Sequence, residues 1–242
     1  MLTPTVHRED GWLLYSAPLP ERFAGDREAL LDALPAGCKF ACSEDAALRM
    51  QAELPAPSDC AERVAAIEAG FAAAAARLGL GAAPALHAAV LPFAEAPDLV
   101  ALCREVGWPL EERAGGSSAV DLGVQGAYLP ASIEAHGDRV AVEVEIARLP
   151  EADGLCRAAL VALLLRVNSA FRMVRAVLRG PEPKALLEVA LPCTTDAAEL
   201  GEALAALAVA ARHCALEARL VAADEAIARA YLERSGIVPP VR

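Results

Sequence analysis

Aromatic side chains make up only 4% of this chain, and histidine occurs 4 times in 242 residues. The first scarcity excludes a large aromatic cluster. The second leaves few rings for catalysis or metal binding, and His7, His87, His136 and His213 do not assemble with a serine and an aspartate into a recognisable triad. Long hydrophobic runs are missing too. The longest, such as 71–76 and 158–165, fall far short of the roughly 20 residues a membrane-spanning helix needs. The N-terminus lacks a basic stretch followed by an apolar one, so no secretory signal is read there.

An excess of positive charge is also lacking. The net charge is −11 and both halves share it: residues 1–96 hold 7 basic and 13 acidic residues, and 97–242 hold 15 and 20. Neither half is a basic patch, which argues against nucleic acid and anionic membrane as partners. An acidic surface suits a soluble cytoplasmic protein and a cationic or amphipathic polypeptide. The 7 cysteines show no framework spacing and read as cytosolic thiols.

What the chain does have is small apolar residues and clear strand alternation. It is 56% hydrophobic, with alanine prominent, so close packing of helices on sheets is expected. Its organising stretch is Arg172–Glu199. Val174, Ala176 and Leu178 share one strand face, and Met173, Arg175, Val177 and Arg179 the other. Gly180-Pro181 turns the chain, and a second strand places Leu187, Val189 and Leu191 opposite Leu186, Glu188 and Ala190. Pro192 ends it, and Asp196 or Thr195 caps the next helix.

Taken in order, the chain predicts a strand over 11–19, a short helix over 26–34, strands over 38–42 and 46–54, and a helix from Asp59 to about Leu78. Residues 79–97, rich in glycine and proline without helical period, read as a linker. Then come a helix capped by Asp98, a strand after Trp108-Pro109, a Gly115–Ser118 turn, and strands over 120–124, 128–135 and 139–149, with a His136–Asp138 turn between the last two. A helix over 152–167, apolar nearly all round, should be buried on more than one side. After the organising stretch, one apolar stripe runs from Leu200 to Cys214 and another from Leu216 to Tyr231, which predicts a bend, or the start of a second helix, near 214–218.

The organising unit has an echo 137 residues upstream: 54–62 and 191–199 both read L-P-x-x-x-D-x-A-E. Met50, Ala52 and Leu54 fall in phase with Leu187, Val189 and Leu191, and 12–19 with 26–34 mirror the 139–149 strand and its helix. Duplication accounts for this, and so does coincidence in an alanine-rich chain. The expected fold class is α+β, with antiparallel sheets packed by helices. A reduced β-α-β-β-α unit over 1–80 precedes the linker (81–97), an α-β-β-β-α-β-β-α domain over 98–235, and a tail over 236–242.

No chemistry stands out. Cys38-x-x-x-Cys42 lacks a second ligand pair. Gly79-Leu80-Gly81 and Gly115-Gly116 lack the lysine and the strand–helix setting of a phosphate loop. Glu143, Glu145, Glu188, Arg175 and Arg179 lie on outer strand faces, where a cross-strand ion lattice is the simplest account. No catalytic residue, cofactor or metal is assigned. The surface that suits a partner is Met173, Arg175, Val177, Arg179, Leu186 and Glu188, unless a helix of the same chain covers it.

The element order over 98–235 resembles that of the bacterial type III secretion chaperone-like superfamily. The resemblance is carried by the 139–149 strand, the leucine-rich helix running into Val167-Asn168-Ser169-Ala170-Phe171, the 172–179 and 185–191 pair, and the helix from Asp196. It covers about 140 of 242 residues and implies a tandem or extended member. It also implies no catalysis, dimerisation, and binding of an extended, partly unfolded stretch of another protein. The resulting expectation is a non-enzymatic, cytoplasmic, chaperone-like or adaptor protein. It would act as a homodimer or as a pseudo-dimer within one chain. An enzyme or enzyme subunit with an unrecognised site, or a structural assembly protein, is the alternative.

Overall fold

The computed structural model describes residues 4–31, 38–43, 46–55, 61–80, 97–112, 118–124, 126–136 and 139–237. The expected linker (81–96 of it), the helix start at Asp59, the Gly115–Ser117 part of the turn, Gly137-Asp138 and the last five residues of the tail lie outside these. The fold is α+β, with two antiparallel sheets and their helices sharing one apolar core.

The first sheet is built from β1 (Thr5–Glu9), β2 (Trp12–Pro18), β3 (Lys39–Cys42) and β4 (Leu48–Pro55), in the order β1-β2-β4-β3. Asp10 and Gly11, at φ 47° and 79°, join β1 to β2. Positive φ at both loop residues is what a tight two-residue hairpin with right-twisted strands requires. α1 (Ala61–Arg77) packs on β4. Of the helix expected over 26–34, residues 32–34 lie outside the described residues, and 26–31 are not helical. A 3-10 helix occupies Glu21–Gly25, and 27–31 are turn. Leu30 and Leu31 are buried all the same, so the leucines read as a helical stripe serve as core plugs from a turn.

The second sheet follows α2 (Leu99–Glu105), whose first turn is capped by the Asp98 carboxylate accepting from the Ala101 N–H at 3.0 Å. Its strands are β5 (Glu111–Glu112), β6 (Ser118–Val124), β7 (Ala127–His136), β8 (Arg139–Arg148), β9 (Arg175–Arg179) and β10 (Lys184–Pro192), in the order β5-β6-β7-β8-β10-β9. α3 (Leu155–Ala170) links β8 to β9, and α4 (Ala197–Ala223) and α5 (Glu225–Arg234) close the chain. Asp196 is the residue that caps α4, accepting from the Glu199 N–H at 2.9 Å. α4 lies across β6, β8 and β10. α3 touches α4, α5, β3 and β9, so its all-round apolar surface is used on several sides at once.

The bend expected near 214–218 is absent. α4 runs unbroken for 27 residues and stops at Asp224, whose carboxylate accepts from the Ala226 and Ile227 N–H groups to start α5. Cys214, Ala215 and Ala218 are buried, and the helix continues through the predicted break, so the second helix begins only at Glu225. Of the stripe that restarts at Leu216, Leu216, Leu220 and Ala223 lie on the opposite face of α4, while Ile227 and Tyr231 belong to α5.

The two sheets repeat each other in order and register. In the first, Leu13 pairs with Leu54, Tyr15 with Ala52 and Ala17 with Met50. In the second, Val140 pairs with Leu191, Val142 with Val189 and Val144 with Leu187. Phe40–Met50 recurs as Ala176–Leu187, and Thr5–Ser16 as Ser132–Glu143. The order β1-β2-β4-β3 is thus the order β7-β8-β10-β9. The first unit is less reduced than its sequence suggests. It has a counterpart of β7 in β1, and a 3-10 helix and turn where the second unit has α3.

Candidate functional site

The outer face of the second sheet gathers most of the expected partner-contact residues. Across β9 and β10, Arg175 stands opposite Glu188, Val177 opposite Leu186 and Arg179 opposite Lys184. On the far side of β10, Glu188 is the neighbour of Glu143 on β8. Two carboxylates and two guanidiniums therefore share one patch. The Arg175 Nε donates to Glu188 Oε1 at 3.0 Å, and its Nη2 donates to the same oxygen. Arg179 reaches both acids, from Nη2 to Glu188 Oε2 and from Nη1 to Glu143 Oε1. This is the cross-strand ion lattice that alternation predicts, with Glu145 continuing it through Lys184 at 2.9 Å.

The patch is not an open surface. Arg175, Val177, Leu186 and Glu188 are buried, and only Arg179 keeps substantial exposure. The expectation of an exposed apolar-and-arginine face is corrected accordingly. Part of the cover comes from the first unit, where the Cys38 carbonyl accepts from Arg175 Nη1 at 3.4 Å. Met173 stands apart from the lattice, half-buried in the turn before β9 at φ 64°. Its N–H donates to Glu53 Oε2 at 3.0 Å, which pins a backbone conformation that otherwise costs about 1–3 kcal/mol.

Beside the lattice is a polar hollow of about 260 Å³ lined by Ser132, Glu134, Ala141, Glu143 and Arg179. Burial raises the Glu143 carboxyl above its ordinary value; Arg179 opposes this, and the neighbouring Glu188 adds to it. Arginine does not exchange protons near neutral pH, and Glu188 is engaged by two arginines. The hollow thus offers the Glu143 carboxyl, with its raised hold on a proton, and hydrogen-bonding groups around it. Among the described residues no cluster of three or more His, Cys, Asp or Glu could hold a metal ion.

Sequence reasoning missed a second ion pair. Lys39 on β3 is buried and donates to Glu53 Oε2 at 2.8 Å and to the Phe171 carbonyl. Burial lowers the Lys39 pKa, Glu53 opposes that, and Arg172 reinforces it. By register Lys39 is the counterpart of Arg175: each is a buried cation at the start of an edge strand, bound to a glutamate. The repeat could have revealed it, because alignment of the strands places the two residues together.

Asn168 was quoted only as part of a helix end, and it joins the units. It is buried, and its Nδ2 donates to the carbonyls of Phe40 at 2.7 Å and Ala176 at 3.1 Å, which are equivalent residues of the two sheets. Its Oδ1 accepts from the Ala176 N–H at 2.5 Å. The Leu178 N–H donates to the Leu31 carbonyl at 2.9 Å. Arg157 of α3 grips both oxygens of Glu28, at 2.7 and 2.5 Å. The first unit is held against β9 and α3 by these bonds.

Exposed features lie elsewhere. β1 is the outermost strand of its sheet and is exposed along all five residues. Val209, Leu216 and Leu220 are exposed on α4, and Tyr128 is exposed at the β6–β7 end. None of the described helices is long and apolar enough to cross a membrane.

No family model matches the sequence, and neither does any curated protein. Among solved structures, YbjN of E. coli, a candidate transcription regulator, is similar over 48% of this chain and 88% of its own, with 14% identity and a TM-score of 0.37.

Proposed function

We propose that the protein is a non-catalytic, cytoplasmic polypeptide-binding protein, chaperone-like or adaptor-like in action, whose two units form a pseudo-dimer within one chain. The family whose element order the second unit resembles works as dimers on extended stretches of other proteins. Here the repeated register and the Asn168 bridge between Phe40 and Ala176 support a pair made of two halves of one chain.

The observation that carries the reading is β1. Its counterpart β7 has β6 along its outer side, whereas β1 ends its sheet and is exposed throughout. An extended segment laid along β1 would complete the first sheet as β6 completes the second. Main-chain hydrogen bonds would supply affinity and alternate side chains specificity. With the chain at −11, a neutral or cationic segment is favoured.

The test is a photo-cross-linking side chain at Val6 on β1, with the same group at exposed Glu233 on α5 as control, used in cells of the host. Polypeptide adducts at Val6 and not at Glu233, unchanged by Glu143→Gln, are the expected result. No adduct at Val6, or equal adducts at both, removes the reading. A host reaction lost on Glu143→Gln moves function to the hollow beside the ion lattice.

A further inference from the structure

α4 has two apolar faces. Leu200, Leu204, Leu207, Ala211, Cys214, Ala218 and Val221 are buried in the core. Turned about 180° away at 100° per residue, Val209, Leu216 and Leu220 stand 57%, 53% and 42% exposed. His213 and Ala223 are exposed on the same line. Positions 209, 213, 216, 220 and 223 step by four and three residues in turn, the spacing of a helix–helix seam. Single exposed leucines are ordinary on a protein surface; a seam-spaced stripe along one helix is a contact surface.

The flanking charges name the occupant. Arg212 and Arg219 border the stripe on one side, and Glu217 and Asp224 on the other. In a parallel pair of such helices, residue i lies across from residue i+5 of the second copy. Arg212 then meets Glu217, Arg219 meets Asp224, and the two-fold axis repeats both pairs. An antiparallel pair would set arginine against arginine. Arg212 donates to the Gly123 carbonyl at 3.3 Å, Arg219 to that of Ile146 at 3.1 Å, and Arg234 holds Glu217 at 2.8 Å, so these side chains are anchored beside the stripe rather than over it. Tyr128, 75% exposed, borders with Arg212 a hollow of about 450 Å³ at this flank.

We propose that the outer face of α4 is a self-association surface, closing a parallel two-fold dimer in which Val209, His213, Leu216 and Leu220 each meet their own counterpart. This surface is separate from β1 and stands or falls independently of polypeptide uptake there. The seam is short, so the dimer dissociates on dilution.

Sedimentation equilibrium of the full chain tests it. The wild type should show a monomer–dimer equilibrium, which L216E/L220E weakens by about a hundredfold or more. Because both side chains are exposed, the far-UV spectrum of that variant should not change. Arg212→Glu alone should weaken the dimer, and R212E/E217R should restore it. Leu220→Cys, oxidised with diamide, should cross-link to itself above the wild-type background. A wild-type chain that stays monomeric at the highest attainable concentration overturns the proposal. So does a dimer indifferent to L216E/L220E, or one in which Leu220→Cys fails to cross-link.

Discussion

The two sheets pair their strands alike and differ in what surrounds them. At equivalent places the first has Ser16, Lys39 and Gln51 where the second has Glu143, Arg175 and Glu188. The second therefore builds a four-membered ion lattice on its outer face, while the first sends Lys39 to Glu53. The helices differ more. α1 has 17 residues and α4 has 27, and the first unit has a 3-10 helix and turn where the second has α3. Strand register is set by alternation and by the proline stops at Pro55 and Pro192, so it persists while flanking elements shrink. The described part of the first unit's connection, which holds no α-helix, leans on α3 of the second. Asn168, Arg157 and the Leu31–Leu178 bond show how α3 and β9 serve both halves.

The largest test of this contrast is Glu188→Ala. It takes the carboxylate from Arg175, whose side chain is 8% exposed and which keeps the neutral Cys38 carbonyl, and it leaves the more exposed Arg179 with Glu143. Removing one partner of a buried pair costs about 3–5 kcal/mol, so urea unfolding should show a loss near that size. Lys39→Met leaves Glu53 with the Met173 N–H as a donor, and should lose less.

Asn168→Ala comes next. It leaves the Phe40 carbonyl and the Ala176 N–H without the side chain that joins them, at about 1–3 kcal/mol for a buried orphan. In a Trp108→Phe background the remaining tryptophan, Trp12 on β2, follows the first unit, and circular dichroism is dominated by the longer helices of the second. Separate midpoints by the two probes would mean that the units uncouple when the bridge goes. Coincident midpoints would mean that the shared core alone suffices.

Titration separates the two cations' partners with opposite signs. The folded Lys39 pKa is lowered below the ordinary 10.5, so in the window beneath 10.5 the unfolded chain binds more protons and stability rises with pH. The folded Glu143 pKa is raised above the ordinary 4.5, so from 4.5 upward the folded state holds more protons and stability falls as pH rises. Subtracting the Lys39→Met profile from wild type should isolate a rising limb in alkali. Subtracting Glu143→Gln should isolate a falling limb in mild acid. A flat difference in either case would mean that the group is not perturbed.

The smallest effect is chemical. Burial pushes the Cys38 and Cys214 thiols up to about 12, one in each half. Half-buried Cys156 is raised as well, again chiefly by burial. Among these three, an alkylating reagent at neutral pH should label Cys156 first. Early labelling of Cys38 would show that the first unit opens ahead of the second.

Much of this architecture was legible where a local rule acts alone. Val140 to Ile146 alternate without interruption, and Asp98 and Asp196 sit where a helix start needs a carboxylate. The L-P-x-x-x-D-x-A-E echo marked two strands that do share a register. Failures occurred where one face carried two meanings. Leu216 and Leu220 looked like a core stripe resuming after a bend, yet they belong to the solvent side of one straight helix. Alternation paired Arg175 and Glu188 across strands but left them on an open face, because cover by another unit is invisible in one dimension. Leu30 and Leu31 announced burial correctly and helix wrongly, since a turn can bury leucines as well as a helix can.

The closing of β9 has a consequence for growth by strand addition. A sheet protein polymerises when it has two open edges, since each added strand then offers another. Here the Ala176 and Leu178 N–H groups of β9 are taken by Asn168 and Leu31, and the Phe40 carbonyl of β3 is taken by Asn168. β5 is two residues long and both are glutamates, too short and too charged to template a neighbour. Among the described residues β1 is then the long exposed edge strand. A sheet with one receptive edge ends strand addition after a single strand, since the added strand finds no second open edge to extend from.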